Sequence, residues 1–132
     1  MTDIEILRPG FPRGRFRSAL FDFDGTLSLI REGWPQVMIP MMVDVLREAG
    51  AAEPDAELAG AVEEFVMRLN GRQTIYQMMQ LAEEVRRRGG HPENPLSYKH
   101  RYHRLLMERI RGRLEALRNG TATAEELSLI HI

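Results

Sequence analysis

The strongest constraint on the fold of this chain is a hydrophobic repeat of three and four residues that runs through most of its length. Apolar residues at this spacing lie on one face of an α-helix. Four such stretches follow one another, and turn-forming residues close each of them. They begin near Trp34, Pro54, Thr74 and Pro95, and they end at Gly50, Asn70-Gly71, Gly89-Gly90 and Asn119-Gly120. Four amphipathic helices can bury their apolar faces on one another as a small bundle.

Local signals refine the predicted helices. Thr74 and Gln77 have the spacing of a capping box, and so do Thr123 and Glu126. Pro40 lies inside the first stretch, where a proline should kink the helix or shift its start. The predicted apolar stripe of the third helix is Ile75, Met78, Met79, Ala82 and Val85.

A different pattern precedes the helices. Ile4 and Ile6 alternate with polar residues, and Pro9-Gly10 marks a turn. The apolar run Ala19-Leu20-Phe21 follows and predicts a buried strand of a parallel sheet. Such a strand needs neighbours for its backbone groups, and no later stretch is typical of a strand. We therefore expect the chain to be the beginning of a larger α/β protein.

Two carboxylates, Asp22 and Asp24, stand at the end of that predicted strand. Alternation along a strand places both on the same side, and open α/β sheets bind ligands at the carboxyl ends of their strands. Gly25 lets the chain turn sharply near a ligand. Paired carboxylates suit a hard cation such as Mg²⁺. One carboxylate can then attack phosphorus, while the other protonates the leaving oxygen and later activates water.

The segment Leu20-Phe21-Asp22-Phe23-Asp24-Gly25-Thr26-Leu27 resembles the first signature motif of the haloacid dehalogenase superfamily. The helices that follow resemble the helical cap of its phosphoglycolate phosphatase-like and β-phosphoglucomutase-like branch. The resemblance implies a parent protein with an α/β, Rossmann-like core and a chain here that is mostly α. Residues 1–29 would then be an N-terminal strand or hairpin of the core, residues 30–118 a four-helix cap, and residues 119–132 a return linker.

The resemblance also implies a role for each residue of the motif. Asp22 would be the nucleophile that becomes an aspartyl phosphate, and it would also bind Mg²⁺. Asp24 would be the general acid and base, and its backbone carbonyl would be a second metal ligand. Gly25 and Thr26 would shape the turn. An acid at the second position favours phosphoryl transfer over dehalogenation.

The loop between the second and third helices is a second candidate site. Cap loops face the active site in this superfamily, so Arg72 could contact a substrate anion and Gln73 a hydroxyl group. A purely structural interpretation is also open, in which Gly71 ends one helix and Thr74 caps the next.

The remaining motifs of the superfamily lack a credible counterpart in these 132 residues. No Asp follows Asp55, the pair Glu125 and Glu126 has no strand before it, and Lys99 lies in a helical stretch. We therefore expect a truncated chain that is inactive on its own. Residues 127–132 are expected to be a non-native tail, because their codons can read CTGTCTCTTATACACATC, a transposon end used to prepare sequencing libraries. A natural apolar tail is the alternative.

Composition limits the class of protein. The chain is 43% hydrophobic, carries a net charge of −1 and contains no cysteine, which excludes a disulfide scaffold and a cysteine-ligated metal site. No apolar run reaches the roughly 18–20 residues of a membrane span, and the first ten residues do not form a signal peptide. We expect a cytoplasmic protein with no membrane or nucleic-acid partner. The oligomeric state is left open.

The expected function is the Mg²⁺-dependent hydrolysis of a small phosphorylated metabolite through Asp22. One alternative is a phosphomutase, which shares the first motif and differs in the fate of the phosphoryl group. The other is a non-catalytic helical binding module that uses the basic fourth helix. That module predicts salt-dependent binding that is indifferent to mutation of Asp22 and Asp24.

Overall fold

The computed structural model of the chain describes Arg8, Gly10, Pro12 and residues 14–127, without the side chain of Glu125. Within this part the chain is mostly helical. The helices are α1 (Pro35–Glu48), α2 (Asp55–Arg68), α3 (Thr74–Arg87), α4 (Pro95–Arg118) and the short α5 (Ala124–Leu127). The four long helices lie where the hydrophobic repeat predicts them. No helix in the described part is long and apolar enough to cross a membrane.

The four long helices pack as a bundle around α1, and residues 35–118 are called the helical unit below. Helix α1 packs against α2, α3 and α4, and α3 also packs against α2 and α4. Each helix turns one apolar face inward. The largest fully buried side chains are Met38, Met41, Met42, Leu46, Leu58, Val62, Val66, Met78, Leu81 and Val85. Burial of apolar surface, at about 25 cal/mol per Å², is the main force that holds the unit together.

The predicted stripe of α3 is wrong at one position. Met79 is 52% exposed, whereas Leu81 is completely buried. The buried apolar residues of α3 start at Met78 and continue at i+3, i+4 and i+7. Met79 lies about 100° further round the helix than Met78 and therefore faces away from the bundle.

The helix ends follow from local chemistry. The Asn94 side chain accepts a hydrogen bond from the Leu96 amide at 2.9 Å and caps α4, with Pro95 at its first position. After α3, Gly89 has a φ of +78°, and a Cβ on Gly90 would lie 2.9 Å from the Ala49 carbonyl oxygen. The glycine pair therefore lets the end of α3 approach the end of α1.

Of the two predicted capping boxes, one forms. The Thr123 hydroxyl accepts from the Glu126 amide at 3.3 Å, and the Glu126 carboxylate accepts from the Thr123 amide at 2.9 Å. The prediction for Thr74 is wrong, because Thr74 is already the first helical residue and Gln73 precedes it without a side-chain cap. Helix α1 continues through Pro40 from a start at Pro35, so the start is not shifted.

The predicted strand over residues 19–23 is not formed. The described residues contain no strand, and Asp24 and Ser28 make only an isolated bridge. Leu20 is fully exposed, and Phe23 is 65% exposed. A strand needs a neighbour to pair its backbone groups, and the described residues supply none. The predicted alternation at Ile4 and Ile6 lies outside the described residues.

The chain enters and leaves the helical unit at neighbouring points. The Leu29 amide donates to the Leu127 carbonyl at 2.8 Å. Arg113 of α4 donates to the carbonyls of Leu29, Ile30 and Glu32 at 3.4, 3.2 and 2.8 Å. These bonds hold the connection before α1 against α4. Residues 128–132 of the predicted non-native tail lie outside the described part.

Candidate active site

The acidic motif forms a tight turn. Gly25 has a φ of +80°, a conformation that other residues adopt only with strain. Its amide donates to the Ser28 carbonyl at 2.8 Å, and the amides of Ser28 and Thr26 donate to the Phe23 carbonyl at 2.8 and 3.3 Å. The backbone around Gly25 and Thr26 is therefore closed on itself, with Asp24 at the start of the turn. We call residues 22–28 the acidic turn.

The acidic turn lines a cleft against the helical unit. The cleft has a volume of about 530 Å³, and both Asp22 and Asp24 lie on its wall. Small-molecule sites commonly enclose about 300–1,000 Å³. Trp34 and Met38 line it from the beginning of α1, and Tyr102 lines it from α4. Both aspartates are exposed, so a ligand can reach them from solvent.

The corner between α2 and α3 supplies another wall of the same cleft. Arg72 lines it, but Gln73 does not. No ion pair joins Arg72 to a carboxylate within the described residues. Asn70 also lines the cleft and accepts from the Gly71 amide at 3.0 Å through its side-chain oxygen, which leaves its amide nitrogen for a ligand. Arg72 and the two aspartates therefore line the same cleft, and Gln73 does not.

Gln77 connects this corner to α2. Its side chain is buried and donates from Nε2 to the Val66 carbonyl at 3.1 Å. Gln77 also lines the cleft, so the hydrogen bond that joins α3 to α2 lies directly behind the binding surface. The α2–α3 corner is therefore fixed by a buried polar contact as well as by apolar packing.

Asp24 and Arg31 form an ion pair at the wall of the cleft. The Arg31 Nη1 lies 3.1 Å from the Asp24 Oδ2, and both side chains are about half exposed. Tyr102 lines the same cleft, and its residue is only 4% exposed. Burial raises the pKa of Tyr102, and the positive charge of Arg31 opposes that rise. The phenol is thus neutral at physiological pH.

Sequence reasoning missed Arg31, Trp34 and Tyr102. Trp34 and Tyr102 have helical spacing, so both were interpreted only as members of apolar stripes. The one available signal was a charged residue, Arg31, in the short connection between an acidic motif and the first helix. Nothing in the periodicity indicates that Arg31 and Tyr102, which are 71 positions apart in sequence, line the same cleft.

The donor atoms in the cleft suit a hard cation. Mg²⁺ prefers oxygen ligands and is often held by one or two carboxylates together with waters and substrate phosphates. Asp22 and Asp24 provide such oxygens. Among the described residues no group of three or more His, Cys, Asp or Glu could hold a metal ion. The described residues therefore place two carboxylates on the cleft wall, one of them paired with Arg31, without a complete set of metal ligands.

Other charged clusters connect parts of the helical unit. Arg88 lies 2.6 Å from a Glu53 oxygen and 2.7 Å from a Glu84 oxygen. Burial opposes the charge of Arg88, but the hydrogen bonds that it donates to Glu84 and Glu53 raise its pKa overall. On α4, Arg101 makes two bonds of 2.7 and 2.9 Å to Glu48, which lower the pKa of that carboxyl. Part of the basic surface of α4 is therefore engaged within the molecule.

Comparison with known proteins adds no further assignment. No family model, no curated protein and no solved structure matches the chain.

Proposed function

We propose that the chain is the motif-bearing and cap part of a Mg²⁺-dependent phosphatase of the haloacid dehalogenase type. Its substrate is a small phosphate monoester, and Asp22 is the nucleophile. The observation that carries the proposal is that Arg72, which is distant in sequence from the acidic motif, lines the same cleft as Asp22 and Asp24. Two carboxylates and a guanidinium that makes no ion pair within the described part of the chain suit a phosphorylated ligand.

In the first step a carboxylate oxygen of Asp22 attacks the phosphorus atom. The bond between phosphorus and the ester oxygen breaks, and the phosphoryl group is transferred to Asp22. Asp24 enters this step protonated and donates its proton to the leaving oxygen, which departs as an alcohol.

In the second step Asp24, now a carboxylate, takes a proton from a water molecule. The water oxygen attacks phosphorus, the bond to the Asp22 oxygen breaks, and inorganic phosphate leaves. Asp22 is regenerated as a carboxylate, and Asp24 is again protonated. A bound Mg²⁺, held by the Asp22 carboxylate and the Asp24 carbonyl, would neutralise charge between the nucleophile and the phosphoryl oxygens.

The helical unit contributes binding. Arg72 binds an oxyanion of the substrate, because a guanidinium donates several hydrogen bonds in a fixed planar arrangement. Trp34 and Met38 provide apolar surface beside it. Closure of the unit over the acidic turn excludes water while the phosphoryl group is transferred.

The proposal is tested on the protein expressed from the intact genomic locus. With Mg²⁺ present, we expect hydrolysis of p-nitrophenyl phosphate, release of inorganic phosphate, and loss of turnover in Asp22→Asn. Asp55→Asn is the matched control, since Asp55 pairs with Arg47 away from the cleft, and it should retain activity. Retained turnover in Asp22→Asn would refute the assignment. Transfer of phosphate to a second position of the product would identify a phosphomutase instead.

The 132-residue chain is expected to give no turnover by itself. Its late acidic pair, Glu125 and Glu126, has no strand before it, and no Ser or Thr stands at the end of a strand in the described part of the chain. The measurement is the same assay with the purified chain. Clear Mg²⁺-dependent hydrolysis would contradict this expectation.

A further inference from the structure

Two arginines of α4 contact the connection before α1, residues 29–34. The Nη1 of Arg113 donates to the Ile30 carbonyl at 3.2 Å and to the Glu32 carbonyl at 2.8 Å. One turn earlier on α4, the guanidinium of Arg109 lies against Gly33, where a Cβ would be 3.3 Å from its Nε and Nη2. Gly33 has a φ of +84°, so the absence of a side chain permits both the turn and this close approach.

The same connection carries two groups of the cleft. Arg31 lies between the two carbonyls that Arg113 binds, and it is paired with Asp24 at 3.1 Å. Trp34, at the end of the connection, also lines the cleft. The position of the connection on α4 therefore helps to determine where Asp24 and Trp34 lie relative to Arg72 on the other wall.

Apolar packing alone leaves the connection room to move. A second cavity, of about 380 Å³, lies beside it, and Leu29, Glu32 and Arg113 line this cavity together with Glu126 and Leu127. Carbonyls that lie outside helices need donors from elsewhere in the molecule, and Arg113 supplies one to the carbonyl of Glu32. Without that donor the connection could shift into the second cavity.

We propose that Arg113 is a positioning residue that sets the opening of the cleft. It holds residues 29–34 against α4 and thereby fixes the distance between the acidic turn and Arg72. Arg113 lines the second cavity and not the cleft, so it acts through the connection and not on the substrate. The expected effect on turnover rests on the proposed function, whereas the effect on the position of Trp34 does not.

The first test uses the 132-residue chain and the fluorescence of Trp34, its single tryptophan. In Arg113→Met we expect a red-shifted emission and stronger quenching by acrylamide, because release of the connection exposes the indole. Arg113→Lys keeps a charged donor and should lie between wild type and Arg113→Met. Arg101→Met is the matched control, since Arg101 is also on α4 but binds Glu48, and should leave both values unchanged. Far-UV circular dichroism verifies that each variant keeps its helices.

The second test measures the kinetics of the protein from the intact locus with p-nitrophenyl phosphate. Arg113→Met should lower kcat and raise KM together. The loss in kcat/KM should reach up to about 100-fold, because a small displacement misaligns the reacting groups. A protein that is merely destabilised would show a lower apparent kcat at an unchanged KM, since only the number of active molecules falls. Arg113→Lys should restore part of the loss.

Wild-type quenching of Trp34 in Arg113→Met would overturn the inference. So would an Arg101→Met chain that changes as Arg113→Met does, or a lower kcat at an unchanged KM. If Arg113→Met does not fold, Arg113→Lys provides the test, and quenching equal to wild type would contradict the inference. Failure of the proposed function is recognised separately, by turnover in Asp22→Asn, and the Trp34 measurement then still decides whether Arg113 sets the cleft.

Discussion

The helical unit and the segment before it differ in how far their large apolar side chains are buried. In residues 35–118 every long helix buries one face, and Leu58 is completely buried. In residues 16–23 the large apolar side chains Phe16, Leu20, Phe21 and Phe23 are exposed, and Leu20 is completely exposed. Both regions contain large apolar residues, so hydrophobicity alone does not decide which of them forms a core.

The difference lies in where the backbone hydrogen bonds go. A helix pairs its backbone groups within one segment, so α1 to α4 can form first and then pack their faces together. A strand must pair with another strand, and none of the described residues offers one to residues 19–23. The acidic turn is ordered by short-range bonds around Gly25 and by Arg31, not by a sheet.

The largest expected effect is on the free energy of unfolding when a Leu side chain is shortened. The cost should be large in the helical unit and almost absent in the segment before it. Leu58→Ala leaves a cavity in the core and should lower the free energy of unfolding by about 2–5 kcal/mol. Leu20→Ala should change it by less than about 0.5 kcal/mol, since that side chain is in water. Urea unfolding followed by circular dichroism measures both. A large cost for Leu20→Ala would mean that residues 19–23 pack against something in solution.

A smaller effect on the free energy of unfolding is expected at Gln77. Its side chain makes a buried hydrogen bond, whereas Gln73 is exposed. Gln77→Met removes the donor to the Val66 carbonyl and should cost about 1–3 kcal/mol, because the hydrogen bond is lost in a buried place. Gln73→Met is the control, with an exposed side chain that makes no cap, and should cost less than about 0.5 kcal/mol. Equal costs in thermal unfolding would show that the α2–α3 corner does not depend on Gln77.

The smallest expected effect is the cost of Glu84→Gln in unfolding free energy, and this cost should depend on pH. Burial raises the pKa of Glu84, but hydrogen bonds from Arg88 and Gln80 lower it below the ordinary 4.5 overall. A carboxyl with a lowered pKa stabilises the fold above its unfolded pKa, and this contribution disappears as the pH falls through its folded pKa. Glu84→Gln should therefore cost up to about 1 kcal/mol at neutral pH and nothing well below pH 4.5.

The control for the pH prediction is Glu63→Gln. Glu63 is exposed and has no ion pair in the described part of the chain. It should show no such pH-dependent difference in unfolding free energy. A cost of Glu84→Gln that persists in acid would show that Glu84 acts through packing and not through its charge.

The sequence predicts the helices well because their signals are local. Asn94 and Pro95 mark the beginning of α4, and Gly89 and Gly90 mark the end of α3. The strand prediction failed because its stability depends on residues elsewhere in the chain. A propensity for strand formation in residues 19–23 does not supply a partner.

The candidate site was only partly predictable for a related reason. Asp22, Asp24 and Gly25 belong to one short segment, so the sequence alone predicts that they lie close together. Arg31 and Tyr102 come together through the packing of α4 against the connection before α1, which no periodic pattern encodes. Arg72 lines the cleft together with the aspartates, whereas Gln73 does not.

The central claim is that Asp22 receives the phosphoryl group. The most direct measurement is mass spectrometry of the protein from the intact locus, quenched in acid during turnover of an aryl phosphate and digested after Arg17 and Arg31. The account predicts phosphate on the peptide of residues 18–31, with fragment ions that assign it to Asp22. Phosphate on Asp24, or an unmodified peptide during steady turnover, would contradict it.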